Sequence, residues 1–180
     1  MSLHPIDKNG GYTEEQLEKF LVFCLLDRAM PYEKVCKAFN YLDWLQLDTR
    51  KGLGSLSEKE IALHLKKAGM RFYNQTGKFL YLFAHNHIDL RNASREQLVA
   101  NVPGLGYKLA SMFLRNTRGE NYAVIDVHVR RWLAARGIKN SNYKKLEEAF
   151  LVEAKKLGMN AYELDMKIWQ ENRIGNRKKQ

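Results

Sequence analysis

The sequence predicts an all-α fold, and three features carry that prediction. A Ser or Thr followed three residues later by Glu or Gln, the capping-box pattern, occurs at Thr13–Gln16, Ser57–Glu60 and Ser94–Gln97. Apolar residues recur at the helical period through most of the chain. Only Tyr122 to Ile125 looks β-like, and a lone short run has no strand to pair with.

Each element follows from local signals. After the Thr13 box, Leu17, Phe20, Leu21, Cys24 and Leu25 mark the buried stripe of a first helix. Pro31 suits the start of a second, with Val35, Phe39 and Leu42 on one side and Lys34 and Lys37 on another. Lys51-Gly-Leu-Gly-Ser55 reads as a linker or loop. Ser57 opens a helix to about Ala68, where Gly69 suits its end, and another helix spans roughly residues 72–86. Ser94 caps a short helix ahead of Pro103-Gly-Leu-Gly106, and a further helix opens at about Lys108. Helices near 127–136, 143–157 and 161–172 complete the chain, which ends in a basic tail, residues 173–180.

Composition narrows the class of partner. A chain of 180 residues can bury one good core or two small lobes that share a cleft. Thirty Lys and Arg against twenty Asp and Glu give a formal charge of +10 and a pI near 9.6. That excess favours polyanions, either nucleic acid or an anionic membrane surface. The longest apolar run, Phe20 to Leu26, is far short of the roughly 20 residues a membrane span requires. Residues 1–16 are polar and do not resemble a secretory signal. The two cysteines, Cys24 and Cys36, fall inside apolar helical patterns and imply neither a disulfide framework nor a metal site. His85-x-His87 lacks partners for a metal. The expectation is a cytoplasmic protein without a cofactor.

The chemistry concentrates in residues 101–130. Gly104 and Gly106 allow positive φ and close approach of a ligand to the backbone. A helix beginning there points free N–H groups and its positive dipole end outward, which suits a phosphate. The candidate phosphate contacts are Gly104, Leu105, Gly106 and Tyr107. Pro-Gly-x-Gly also serves as a plain helix–helix turn. Lys108 follows in the first helical turn, with Leu109, Met112 and Phe113 on the buried face and Lys108, Ser111 and Arg115 on a different one. A lysine nucleophile must first lose its proton, and an adjacent helix N-terminus disfavours the ammonium. Alone, Lys108 also reads as a solvated surface residue. Eighteen positions on stands Asp126, whose simplest role is to cap the helix of Val129, Trp132 and Leu133. Such a cap can also face a cleft, stabilise positive charge on a sugar and relay a proton. His128 reads as structural, bonded to nearby backbone.

Hairpin, lysine and aspartate, in this order and at this spacing, resemble the helix-hairpin-helix DNA glycosylase superfamily, of which endonuclease III is a member. The resemblance implies that Lys108 attacks C1′ of a flipped-out nucleotide to give a Schiff base, and that β-elimination nicks the strand. Endonuclease III carries four C-terminal cysteines for an iron–sulfur cluster, and this chain has no cysteine after Cys36. Gly69-Met-Arg-Phe-Tyr-Asn74, Ala110-Ser-Met-Phe-Leu-Arg-Asn116 and Glu163-Leu-Asp-Met-Lys-Ile-Trp169 look like the small archaeal and bacterial 8-oxoguanine DNA glycosylase/AP lyases without the cluster. Phe23-Cys-Leu-Leu26 loosely echoes their first helix. The likeness runs from about residue 12 to 175.

Two departures fall on the base pocket and DNA wedge. A Thr-Ala-Asn-type segment usual after the first helix is here Asp27-Arg-Ala-Met30, and the family's terminal lysine has only loose counterparts in Lys178 and Lys179. The base-pocket candidates are Trp169 and Asp165, with Met70 and Phe72 as further candidates. Trp169 stands at helical spacing from Asp165 and could equally be core. The resemblance implies two lobes around a DNA-binding cleft, residues 30–116 and residues 1–29 with 117–180. It implies a monomer acting on double-stranded DNA with a damaged base, away from any membrane. Another damaged base, such as an oxidised pyrimidine, and a non-catalytic DNA-binding module are the alternatives. A pure binding module needs neither Lys108 nor Asp126.

Overall fold

In the computed structural model, residues 11–28 and 30–177 are described, with backbone alone for 173–177. Lys178, Lys179 and the first ten residues lie outside them. The described residues form ten helices and no strand. These are α1 (Glu14–Leu26), α2 (Tyr32–Trp44), α3 (Arg50–Leu53), α4 (Glu58–Lys67), α5 (Tyr73–Ala84), α6 (Arg95–Asn101), α7 (Tyr107–Arg118), α8 (Val127–Ala134), α9 (Tyr143–Lys156) and α10 (Ala161–Arg177). All three capping boxes form, so α1, α4 and α6 begin where their Ser and Thr residues stand.

Of residues 51–55, read as a linker or loop, 51–53 belong instead to α3, which Thr49 caps through the Gly52 amide, while 54 and 55 form the turn that follows. Glycine is required at 52 because a Cβ there would collide with the Gln46 carbonyl. The run Tyr122–Ile125 forms no strand. Tyr143 anchors it by donating its hydroxyl to the Ala123 carbonyl at 2.8 Å and accepting from the Ile125 amide at 3.3 Å.

The apolar side chains gather into two cores. One unites α1, α2, α4, α5, α6 and α7 around Phe20, Phe39, Phe83 and Phe113. The other joins Ala123 and Ile125 to α8, α9 and α10 around Phe150. Helix α1 differs here from the expectation that it joins the C-terminal lobe. It is buried nearly all round, from Phe20 to Leu26, and every one of those side chains belongs to the first core. A helix apolar on all faces packs where it can be surrounded, against α2, α5 and α7.

The polar face of α7 is a second difference. Ser111 and Arg115 are buried rather than solvated, because this face meets the second core. Arg95 of α6 donates through Nη1 to both oxygens of Glu147 on α9 at 2.7 Å, and to the Ser111 hydroxyl at 3.1 Å. Arg115 donates to Asp165 Oδ2 on α10 at 2.7 Å. Two buried ion pairs therefore stitch the cores together along α7. Removing one partner of such a pair strands a charge in a dry seam. Glu147→Ala is expected to lower the unfolding free energy by about 3 kcal/mol, measured by urea denaturation. A loss below about 0.5 kcal/mol, the surface value, would show that water solvates the seam.

Candidate active site

The hairpin between α6 and α7 is shaped by Gly104. Gly104 takes φ +88°, a conformation side-chain-bearing residues rarely adopt, and a Cβ there would come within 2.5 Å of the Phe79 ring. Leu105 pins the turn from below, 2% exposed, so only its backbone remains for any ligand. A side chain at Gly106 would meet nothing within 4 Å, so crowding inside the protein does not account for that glycine. Gly106 is also the N-cap of α7, and no side chain caps the helix. The Tyr107 ring turns inward, stacked 5.9 Å from Tyr143 and beneath the Arg95 guanidinium.

Lys108, in the first turn of α7, extends its Nζ to within 2.7 Å of Asp27 Oδ2 at the C-terminal end of α1. The pair is part-exposed, with 34% of the lysine and 23% of the aspartate side chain accessible. Beneath it lies Cys24, wholly buried, whose thiol is pushed well up by burial, with Asp27 adding to the effect and Lys108 and Arg115 opposing it. Such a thiol is packing, not a nucleophile.

Asp126 caps α8. Its Oδ1 accepts from the His128 and Val129 amides, both at 2.8 Å. His128 departs from the structural reading that bonds it to nearby backbone, since its buried Nδ1 has no hydrogen-bond partner. Asp165 stands in the same electrostatic neighbourhood. Burial pushes its carboxyl up, Arg115 pulls it down, and Asp126 and Lys108 act in opposite directions on it. Asp165 thus feels both Lys108 and Asp126, although the three come from distant parts of the chain.

The base-pocket candidates separate. Trp169, half-buried on α10, meets the exposed ring of Tyr32 edge-to-face at 5.9 Å. Met70 is 4% exposed and packed in the first core, where an aliphatic side chain of its kind fills space. Phe72 is the N-cap of α5, with its exposed ring under the Arg71 guanidinium. His85 bonds through Nδ1 to the Tyr81 carbonyl at 2.8 Å, a local helix contact. The residue that sequence reasoning missed is Asp27. Its only signal was a departure from the pattern that usually follows the first helix.

Comparison with known proteins now decides the family. The family model described as 8-oxoguanine DNA glycosylase matches residues 7–166. The chain belongs to the 8-oxoguanine DNA glycosylase family. Among its relatives, an 8-oxoguanine DNA glycosylase/AP lyase of Korarchaeum cryptofilum is 33% identical over 175 residues, covering 87% of this chain and 80% of the relative. The solved 8-oxoguanine DNA glycosylase of Thermotoga maritima superposes with a TM-score of 0.75 at 29% identity, covering 87% of this chain and 79% of that one. The Methanocaldococcus jannaschii 8-oxoguanine glycosylase/lyase, solved in complex with 15mer DNA containing 8-oxoguanine, gives a TM-score of 0.73 at 27% identity. That match covers 90% of this chain and 82% of the other. This family membership is in accord with the all-α fold and the helix-hairpin-helix. No described helix is long and apolar enough to cross a membrane.

Proposed function

We propose that this protein excises 8-oxoguanine from double-stranded DNA and nicks the strand at the resulting site through a Lys108 imine. One observation carries the reading. A lysine sits at the uncapped head of α7, directly behind the glycine hairpin, and both it and Asp126 act electrostatically on Asp165. The family and its DNA-bound relative supply the substrate class. In this reading Gly104, Leu105, Gly106 and Tyr107 present backbone to a DNA phosphate, and the open space over Gly106 is where the strand approaches. Lys108 attacks C1′ and Asp126 stabilises the positive charge that builds on the sugar as the base leaves.

Trp169 is the stacking partner for the flipped base in this reading. Asp165, one turn earlier and held by Arg115, fixes the part of α10 that carries it. Met70 and Phe72, at the α4–α5 turn, stay outside the proposal. A stacked base is worth about 1–3 kcal/mol. Trp169→Ala is therefore expected to slow base excision by roughly 10- to 100-fold, while cleavage of a preformed abasic site proceeds at its normal rate. Equal loss of both would make Trp169 a packing residue.

Borohydride trapping on an oligonucleotide with one 8-oxoguanine tests the function as a whole. A covalent protein–DNA adduct is expected with the lesion and not with guanine. Adduct formed only on an oxidised pyrimidine would reassign the substrate, and DNA binding with no adduct on either lesion would indicate a binding module.

A further inference from the structure

The lysine's proton needs a destination, and the geometry points to one that the family reading does not name. We propose that Asp27 is a catalytic residue that accepts the proton of Lys108 Nζ, while Asp126 stays a fixed anion. The inference rests on Lys108 being the nucleophile.

The two carboxylates are held very differently. Asp126 spends Oδ1 on two amide donors that start α8, and protonating it would weaken the charge-assisted bonds that fix the helix end. Asp27 has no such duty. Its backbone N–H, not its side chain, closes α1 by bonding to the Phe23 and Cys24 carbonyls. Its Oδ2 lies 2.7 Å from Nζ, within the range for direct proton transfer. The contact joins residues 81 positions apart, the C-terminal end of α1 to the N-terminal end of α7. Both members of the pair act on the buried Cys24 thiol of α1, as does Arg115 of α7, and Lys108 acts together with Arg115 and Asp126 on Asp165 of α10. Arg28, next along the chain, lies over the Phe79 ring 4.5 Å away, close to the hairpin.

The part-exposed pair is stable as two charges while water reaches it. A nucleotide entering the site expels that water, and a dry ion pair loses its hydration. Moving one proton from Nζ to Oδ2 then gives a neutral amine and a neutral acid. The freed electron pair on nitrogen forms the bond to C1′ as the bond from C1′ to the base breaks. The base leaves with that bond's electron pair and takes up the proton held on Asp27, which restores the carboxylate.

Asp27→Asn keeps size and shape and removes the charge and the proton acceptor together. The rate of adduct formation, measured from about pH 6 to about pH 10 on 8-oxoguanine DNA and on preformed abasic DNA, tests it. At neutral pH the variant is expected to be slower by about 100-fold on both substrates, to recover progressively as alkali deprotonates the amine, and to bind DNA as tightly as the parent. Asp27→Glu is expected to restore most of the neutral-pH rate, and carries the comparison should the Asn variant fail to fold. An unchanged or faster neutral-pH rate overturns the assignment and makes the pair a resting contact. So does a uniform slowing with the parent's pH profile, which makes it packing. If the parent itself forms no adduct on either DNA, the lyase reading fails and Asp27 falls with it.

Discussion

Lys108→Gln is expected to eliminate both the borohydride adduct and strand nicking, a loss of at least about 10³-fold, with the fold and DNA affinity nearly intact. Glutamine keeps the helix propensity and much of the length of lysine but cannot form an imine. The structure strengthens the expectation that the fold survives. Nζ is part-exposed and makes its ion pair at the rim, so no buried charge is stranded. The glutamine amide can still donate to Asp27. Phosphate contacts would persist too, since the hairpin offers backbone from Gly104 to Gly106 rather than this side chain. Single-turnover nicking and a gel-shift assay on the same preparation make the check. Undiminished nicking in a preparation free of contaminating nuclease would show that another amine is the nucleophile.

Much of this fold could be read because its signals are local. A capping box lies within four residues, and Thr13, Ser57 and Ser94 each mark a helix start that forms. The Asp126 cap is local in the same way. Where the sequence misled, the deciding partner was distant. The apolar stripe of α1 shows that the helix is buried, but a period carries no record of which helices surround it. Ser111 and Arg115 read as an outward face because polar residues at helical spacing usually meet water. They are buried because Tyr143, Glu147 and Asp165 arrive from 32 to 52 positions away to satisfy them and Arg95. Residues 51–55 look like a linker because two glycines stand close together, and the need for one of them, at 52, comes from the Gln46 carbonyl, which leaves no room for a side chain. Asp27 is the same case at the site. Nothing near it in the chain announces Lys108, and its meaning appears only once α1 and α7 pack side by side.

Asp126→Asn separates the cap that this carboxylate forms from the catalytic role proposed for it. Asparagine caps helices about as well as aspartate, and its Oδ1 can still accept from the His128 and Val129 amides. Stability is therefore expected to change by less than about 1 kcal/mol. The negative charge is gone, however, and with it the electrostatic stabilisation of a sugar that turns positive as the base departs. Losing one such preorganised group costs about 10²- to 10³-fold, and that is the fall expected in single-turnover excision of 8-oxoguanine. Asp126→Ala adds the loss of the cap, so it should match the asparagine variant in rate and be less stable by about 1 kcal/mol. Thermal unfolding and excision kinetics on both variants decide the matter. If Asp126→Asn excises at the parent rate while Asp126→Ala loses stability and activity together, the carboxylate is a cap alone. The charge that steadies the sugar would then have to come from elsewhere in the cluster.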